Sequence, residues 1–289
     1  MRKNENDPKS LLMLLASMLI FGSIGIFRRS LPLSSSFLAC SRGLLGGFFI
    51  LAFAKLKKGS AGKLPRRVLL QLMLSGAMIG FNWMLLFEAY NHTTVAVATL
   101  CYYMQPTIVV LLSPLIFREK LTAKQAVCAA VAILGMVLVS GVFDGADARR
   151  GNLRGVLFGL GAAVLYSAVV ILNKRITGVG ALQKTPVQLL SAGAVMIPYL
   201  LLTEGFSFGA LQADSVPLLL VMGLVHTGLA YVLYFGSMDG LKAQSVAIFS
   251  YADPVFALLL SALVLREPLT LPALLGAVMI IGSALLSEK

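Results

Sequence analysis

Twenty residues of this chain are written twice. YMQPTIVVLLSPLIFREKLT at 103–122 returns 148 positions later as YADPVFALLLSALVLREPLT at 251–270, with ten positions identical. Each copy opens on Tyr and Pro, runs through a long apolar stretch and closes on Arg-Glu, Leu and Thr. In a chain of 289 residues an offset near half the length divides the molecule into two halves of one design. The fold therefore has to be one that a duplicated, strongly apolar unit can build with its own copy.

Composition says in which solvent. Apolar residues make up 58% of the chain and charged residues 12%, and mean hydropathy is +0.89, which excludes a water-soluble domain of this length. A helix needs roughly 20 apolar residues to cross the hydrocarbon core, and the chain offers such runs in succession. Backbone polar groups have no water to bond there, so the spans are expected to be helices. The net charge of +12 would point to nucleic acid in a soluble protein; here it is read as loop asymmetry, with no nucleic-acid partner. Cys40, Cys101 and Cys128 all fall in apolar runs, away from any His cluster, and indicate neither a disulfide framework nor a metal site. No cofactor is expected.

The fold class expected is an all-α membrane protein of ten transmembrane helices. Apolar runs between polar breaks place them at about 10–27, 33–54, 68–90, 94–116, 123–143, 153–173, 185–202, 216–237, 244–265 and 271–287. The N-terminal run resembles a signal peptide in outline, but no small-residue cleavage pattern follows and Arg28-Arg29 closes it, so it is read as the first span. Asn91-His92-Thr93 makes a tight hairpin between the third and fourth spans. The polar segment DGADARRGN, 144–152, is the natural linker between a first five-helix repeat, 1–143, and a second, 153–289.

With both termini in the cytoplasm, inside segments hold seventeen Lys and Arg, among them Lys55, Lys57, Lys58, Lys63, Arg66 and Arg67, and outside segments hold six. Five spans per half is odd, so the second half enters from the opposite side. Arg118-Glu119 then lies inside and Arg266-Glu267 outside, an inverted repeat of the kind used for alternating access around a midplane site.

At these residues the chain resembles the drug/metabolite transporter superfamily, specifically the ten-span EamA-type family. Pro106 through Glu119, Pro254 through Glu267, the pairing of Pro32 with Arg42 at the second span, and the short hairpin followed by Thr93, Thr94, Ala96 and Ala98 carry the likeness. It covers essentially the whole chain. The resemblance implies a proton-coupled or exchange-type carrier in the cell (inner) membrane, often an exporter of amino acids, related metabolites or toxic compounds, with a central cavity between the halves. One departure is that Gln105 precedes Pro in the first copy where the second has Asp253.

Asp253, about ten residues into the ninth span, is the first candidate for ion coupling. A carboxylate at mid-membrane costs ~2.5–3.5 kcal/mol even on insertion scales. Pro254 beside it cannot donate to the carbonyl of Ser250, leaving that oxygen for a ligand or water. Pairing with a nearby donor to fix packing is the alternative. Arg42, in the second span just before the Gly43/Gly47 spacing, either binds a substrate carboxylate or forms a permanent ion pair with Glu88 or Asp253. Glu88 completes the ion-coupling set, although it sits close enough to the hairpin to reach water.

Candidates for binding substrate are Asn82, Trp83, Tyr102, Gln105, Tyr166, His226, Tyr231 and Tyr251, with Tyr103 and Tyr234 adding further rings. His226, whose ordinary pKa is about 6.5, could exchange protons or simply bond a neighbouring helix. Trp83, the sole tryptophan, is too far from either end of its span for interfacial anchoring. Tyr hydroxyls on ring faces suit a partly apolar organic molecule better than a bare ion. Gly76/Gly80 and Gly155/Gly159 repeat the small-residue spacing and are read as packing contacts.

No Walker-type phosphate loop is present, so a proton or solute gradient would drive transport. A passive channel or a lipid-headgroup flippase is the alternative class, but isolated polar residues of mixed sign do not make a pore ring. An intramembrane enzyme would need a dense catalytic cluster, and two histidines, one of them in a hairpin, do not supply it. The expected partners are a small-molecule substrate and membrane lipid, with the protein a monomer or homodimer.

Overall fold

The computed structural model describes residues 7–56, 64–117, 121–139, 146–204, 212–238, 240–241, 246 and 249–288. Arg118-Glu119 and Asp144 lie outside the described residues, as do Arg2, Lys3, Lys57, Lys58, Lys63, Lys120, Lys242 and Lys289. All regular structure among the described residues is helical.

Helix α1, Pro8–Arg29, starts where Asp7 caps it, accepting from the Ser10 N–H at 3.1 Å and the Ser10 hydroxyl at 2.9 Å. Those bonds hold the Asp7 carboxyl below its usual range. Pro8 fits the first helical position, and Arg28 and Arg29 sit in the last turn, where the helix dipole favours cations. Helix α2, Ser35–Leu56, and α3, Arg66–His92, follow. Thr93 and Thr94 alone separate α3 from α4, Val95–Tyr102, whose N–H at Val97 is capped by Thr94 at 3.1 Å.

The fourth apolar run is not one straight helix. It breaks at Tyr103 and Met104 before α5, Gln105–Phe117, because Pro106 has no N–H to offer the carbonyl of Tyr102. The second copy of the repeat breaks at the matching place: Tyr251 is a turn residue, and α11, Ala252–Val264, begins after it.

Between these lie α6, Ala123–Val139; α7, Ala146–Arg175; and α8, Ala181–Thr203. Residues 146–152 of the expected linker form the first turns of α7, a segment rich in the helix formers Ala and Arg. The eighth apolar run begins as α9, Ser215–Leu220, passes through a nine-residue π-helix, π1, Val221–Leu229, and ends as α10, Ala230–Ser237. Helix α12, Leu271–Glu288, completes the chain.

Seven segments are long and apolar enough to cross a membrane: Pro8–Arg29, Ser35–Leu56, Arg66–His92, Val95–Ile116, Asn152–Arg175, Ala181–Thr203 and Ser215–Ser237. Ala123–Val139, Ala252–Val264 and Leu271–Leu286 are shorter apolar helices. The bundle is inside out by the standards of water. Leu115 is 81% exposed and Leu202 86% exposed on its perimeter, while Arg42 is 3% exposed at its centre. That distribution suits a hydrocarbon surround.

The two halves interlock. Helix α2 packs on α8 and α6 on α12, each pairing like with like across the repeat; α1 lies on α11 as α7 lies on α4 and α5, and α1 on α10 as α7 on α3. Gly43 of α2 faces Gly193 of α8 so closely that a Cβ added to Gly43 would lie 2.8 Å from the Gly193 Cα, and one added to Gly193 would lie 2.9 Å from the Cys40 carbonyl. The backbones touch where side chains would keep them apart. Gly76 and Gly80 of α3 likewise meet α8, and Gly155 and Gly159 of α7 meet Thr93 and Cys101.

Gly193→Val is expected to destabilise the bundle by about 1–3 kcal/mol through overpacking against backbone. A lower midpoint of thermal unfolding in detergent would register it; an unchanged midpoint would mean the α2–α8 contact yields.

Candidate functional site

The two broken helices face each other across the centre of the molecule. Tyr103, at the break in the first repeat, donates its hydroxyl to Asp253 Oδ2 of the second at 2.6 Å, and its ring lies 6.3 Å from that of Tyr251. Around this junction is a cavity of about 360 Å³. Its walls carry Tyr102, Tyr103, Tyr166, Tyr231, Tyr234 and Tyr251. Tyr102 and Tyr166 approach with centroids 5.6 Å apart, and Phe21 of α1 stands edge-on to Tyr231 at 5.4 Å. Such walls present ring faces and hydroxyls together, suited to an organic molecule with a polar end.

Arg42 enters from α2. Its guanidinium lies over the Trp83 ring at 4.2 Å and near Phe87 at 5.8 Å, and its Nε donates to Thr227 Oγ1 at 2.6 Å. Stacking on rings is a contact that a planar, weakly hydrated cation makes well. Arg42 pairs with neither Glu88 nor Asp253, the two ionic partners the sequence offered; both carboxylates are engaged elsewhere. Among the described lining residues, Arg42 is the cation and Asp253 the carboxylate.

Near the cavity, Glu267 ties three helices together. It accepts from Arg29 at 3.0 Å, from the backbone N–H of Val95 at 2.8 Å, and from the Ser261 hydroxyl. Arg29 also donates to the Thr93 carbonyl at 2.6 Å. Three lining residues, Ile24, Thr99 and Ala257, lie about one helical turn from Arg29, Val95 and Ser261, so the cluster joins the same three helices just beyond the cavity. Arg266 reaches this turn with φ +55°, a left-handed conformation that swings the chain so Glu267 points back.

Of the residues singled out in the sequence, Arg42, Trp83, Tyr102, Gln105, Tyr166, Tyr231, Tyr251 and Asp253 come together on the cavity wall. Three do not. Asn82 turns toward α7, donating to the Ala162 carbonyl at 2.6 Å, because α3 packs that face against α7. Glu88 is held near the hairpin by Ser35 at 2.7 Å, Asn91 at 3.1 Å and His92 at 3.2 Å. His226 sits between Ser23 Oγ at 2.9 Å and the Val221 carbonyl at 3.3 Å, with the Phe27 ring 4.5 Å away, buried in the α1–π1 contact.

Tyr90, Thr99 and Ser250 also line the cavity. A signal for Tyr90 was present, since it follows Trp83 by seven residues and so shares its helical face. Thr99 likewise stands four residues before Tyr103.

A family model described as the EamA-like transporter family matches residues 8–141 and 153–288. The uncharacterized transporter YxxF of Bacillus subtilis (strain 168) is 29% identical over 286 residues, covering 98% of this chain and 91% of its own. Protein PecM of Dickeya dadantii (strain 3937) is 28% identical over 226 residues, covering 75% and 73%. A solved crystal structure superposes with a TM-score of 0.67 at 19% identity over 96% of this chain and 95% of that one, a likeness of fold.

Replacing Glu267 by Ala removes an ion pair and a helix cap together, and about 1–2 kcal/mol of stability should go with it. Part of the loss should be absent at high salt, where the wild-type ion pair is already screened; an equal loss at every salt concentration would assign the effect to the cap alone.

Proposed function

Because the chain belongs to the EamA-like transporter family, we propose that it is a secondary active carrier that exports amino acids, related small metabolites or amphipathic drugs. Membership of a transporter family gives it a non-enzymatic role in a membrane. The observation that carries the reading further is the junction of the two repeat copies: Tyr103 of one bonded to Asp253 of the other, at paired helix breaks, on the wall of one cavity. Broken helices at matched positions of two halves are where secondary transporters place substrate and coupling-ion sites.

In this reading ten spans form two inverted five-helix repeats, 1–143 and 153–289, with both termini cytoplasmic. The halves rock about their interface in the cell (inner) membrane, exposing the cavity to each side in turn. Asp253 carries the coupling proton. Its hydrogen bond to Tyr103 spans the two halves, so loading or releasing the proton changes what holds them together. The Arg29–Glu267 ion pair closes the outer end and parts when the cavity opens there. The tyrosine rings hold the substrate body.

Asp253→Asn keeps the shape of the side chain but cannot cycle a proton. Purified into proteoliposomes, this variant should lose accumulation driven by a pH gradient while retaining counterflow exchange of unlabelled for labelled substrate. Full gradient-driven accumulation by the variant would remove Asp253 from the mechanism. A wild-type protein that moves no amino acid, amine or drug across a broad panel would remove the carrier reading itself.

A further inference from the structure

Arg42 is 3% exposed, and among the described residues its only hydrogen bond is from Nε to Thr227. Nη1 and Nη2 have no carboxylate or carbonyl partner there, although Asp253 lines the same cavity. A guanidinium stays charged under all accessible conditions, and a buried charge without a partner is costly. Trp83 and Phe87 supply ring faces but no anion. Tyr102, Tyr231 and Tyr90 on the cavity wall offer hydroxyls, and Asp253, near enough to interact with the arginine's charge, accepts its hydrogen bond from Tyr103 rather than from Arg42.

Thr227 explains how this cation is held. It lies in π1, fully buried, and its hydroxyl donates to the carbonyl of Met222, five residues back, at 3.1 Å. Its proton is thus committed, and only its lone pairs are left for Arg42, which has no acceptor to offer in return. The i to i+5 pattern of the π-turn sets Thr227 against α2, where Gly46 makes room for it: a Cβ at Gly46 would lie 2.7 Å from the Thr227 Cβ. π-Turns inside α-helices recur at functional sites, and this one places a single acceptor behind a buried arginine.

We propose that Thr227 is a positioning residue that makes Arg42 the receptor for a carboxylate on the transported molecule. By taking Nε, it leaves the Nη1/Nη2 edge as the one available for a two-point bond to a planar anion. Trp83 fixes the plane of the fork from below, and the tyrosine walls accept an apolar, ring-bearing body. The ligand class is therefore a small organic carboxylate with such a body, which specifies the substrate of the carrier proposed above and rests on that reading only for its being moved.

Trp83 is the sole tryptophan and lies under the guanidinium, so its fluorescence reports occupancy in detergent without any transport assay. Wild-type protein titrated with phenylacetate should show a saturable change, and phenylacetamide, which lacks the charge, should bind at least about tenfold more weakly. Thr227→Val, nearly equal in volume but without the hydroxyl, should raise the phenylacetate midpoint about tenfold, and Thr227→Ser should stay within about threefold of wild type. In proteoliposomes the valine variant should raise KM with kcat nearly unchanged.

Equal binding of the acid and the amide by wild-type protein, or no change with either up to about 10 mM, overturns the carboxylate site. An unshifted valine variant overturns the role of Thr227. If the valine variant does not fold, Thr227→Ser decides the same point: a midpoint weakened as much as that of Arg42→Lys means that the hydroxyl is not what positions the fork. Binding without transport would sink the carrier reading and leave this one standing.

Discussion

Arg42 is a charge that cannot be discharged, set among rings in the middle of a bundle whose perimeter is leucine. Much of the surrounding architecture is what such a group requires. Its plane needs an aromatic face, which Trp83 supplies, and its Nε needs an acceptor, which Thr227 supplies. Thr227 reaches it because the eighth apolar run winds as a π-helix there and because α2 carries Gly46 at the contact. Gly43, next in sequence to Arg42 and about 100° round the helix from it, faces Gly193 of α8. The arginine and a close backbone approach between the halves thus lie within a single turn of one helix.

The cavity next to that arginine is built where the duplicated segments meet. Proline in each copy removes one helical hydrogen bond, and the helix breaks at the tyrosine that precedes it. In a medium with no water, freed backbone groups and polar side chains must turn toward one another or toward a cavity. Tyr103 and Asp253 do both, joining the two copies by a hydrogen bond on the cavity wall. Glu267 solves the same problem near the cavity, gathering an arginine, a serine and a free helix N-terminus from three helices.

Several of these features were legible in the chain. The repeat, the apolar runs, and most of the ring-bearing wall followed from spacing and from the cost of polar groups in lipid, whereas the breaks at Tyr103 and Tyr251 were seen only in the structure. Arg42, Trp83 and Asp253 stood out because nothing else excuses such residues at mid-span, and the structure brings all three to one cavity. Glu88, Asn82 and His226 stood out for the same reason yet serve contacts between helices. The cost of burying a polar group is the same whether its partner is a ligand or the next helix, so the sequence cannot separate the two.

Thr227 marks the opposite case, since a threonine in an apolar run is unremarkable and its importance comes from a π-turn that no hydrophobic pattern announces. Composition and periodicity determined by themselves that the chain is helical, membrane-embedded, duplicated and polar at its centre, because those properties depend on local backbone satisfaction and on transfer from water to lipid. Which face of each helix turns inward was decided only when the two halves packed, by where small residues let backbones touch. That choice placed Arg42 against Thr227 rather than a carboxylate, and Tyr103 against Asp253, because a hydrogen bond between residues far apart in sequence exists only after the packing that brings them together.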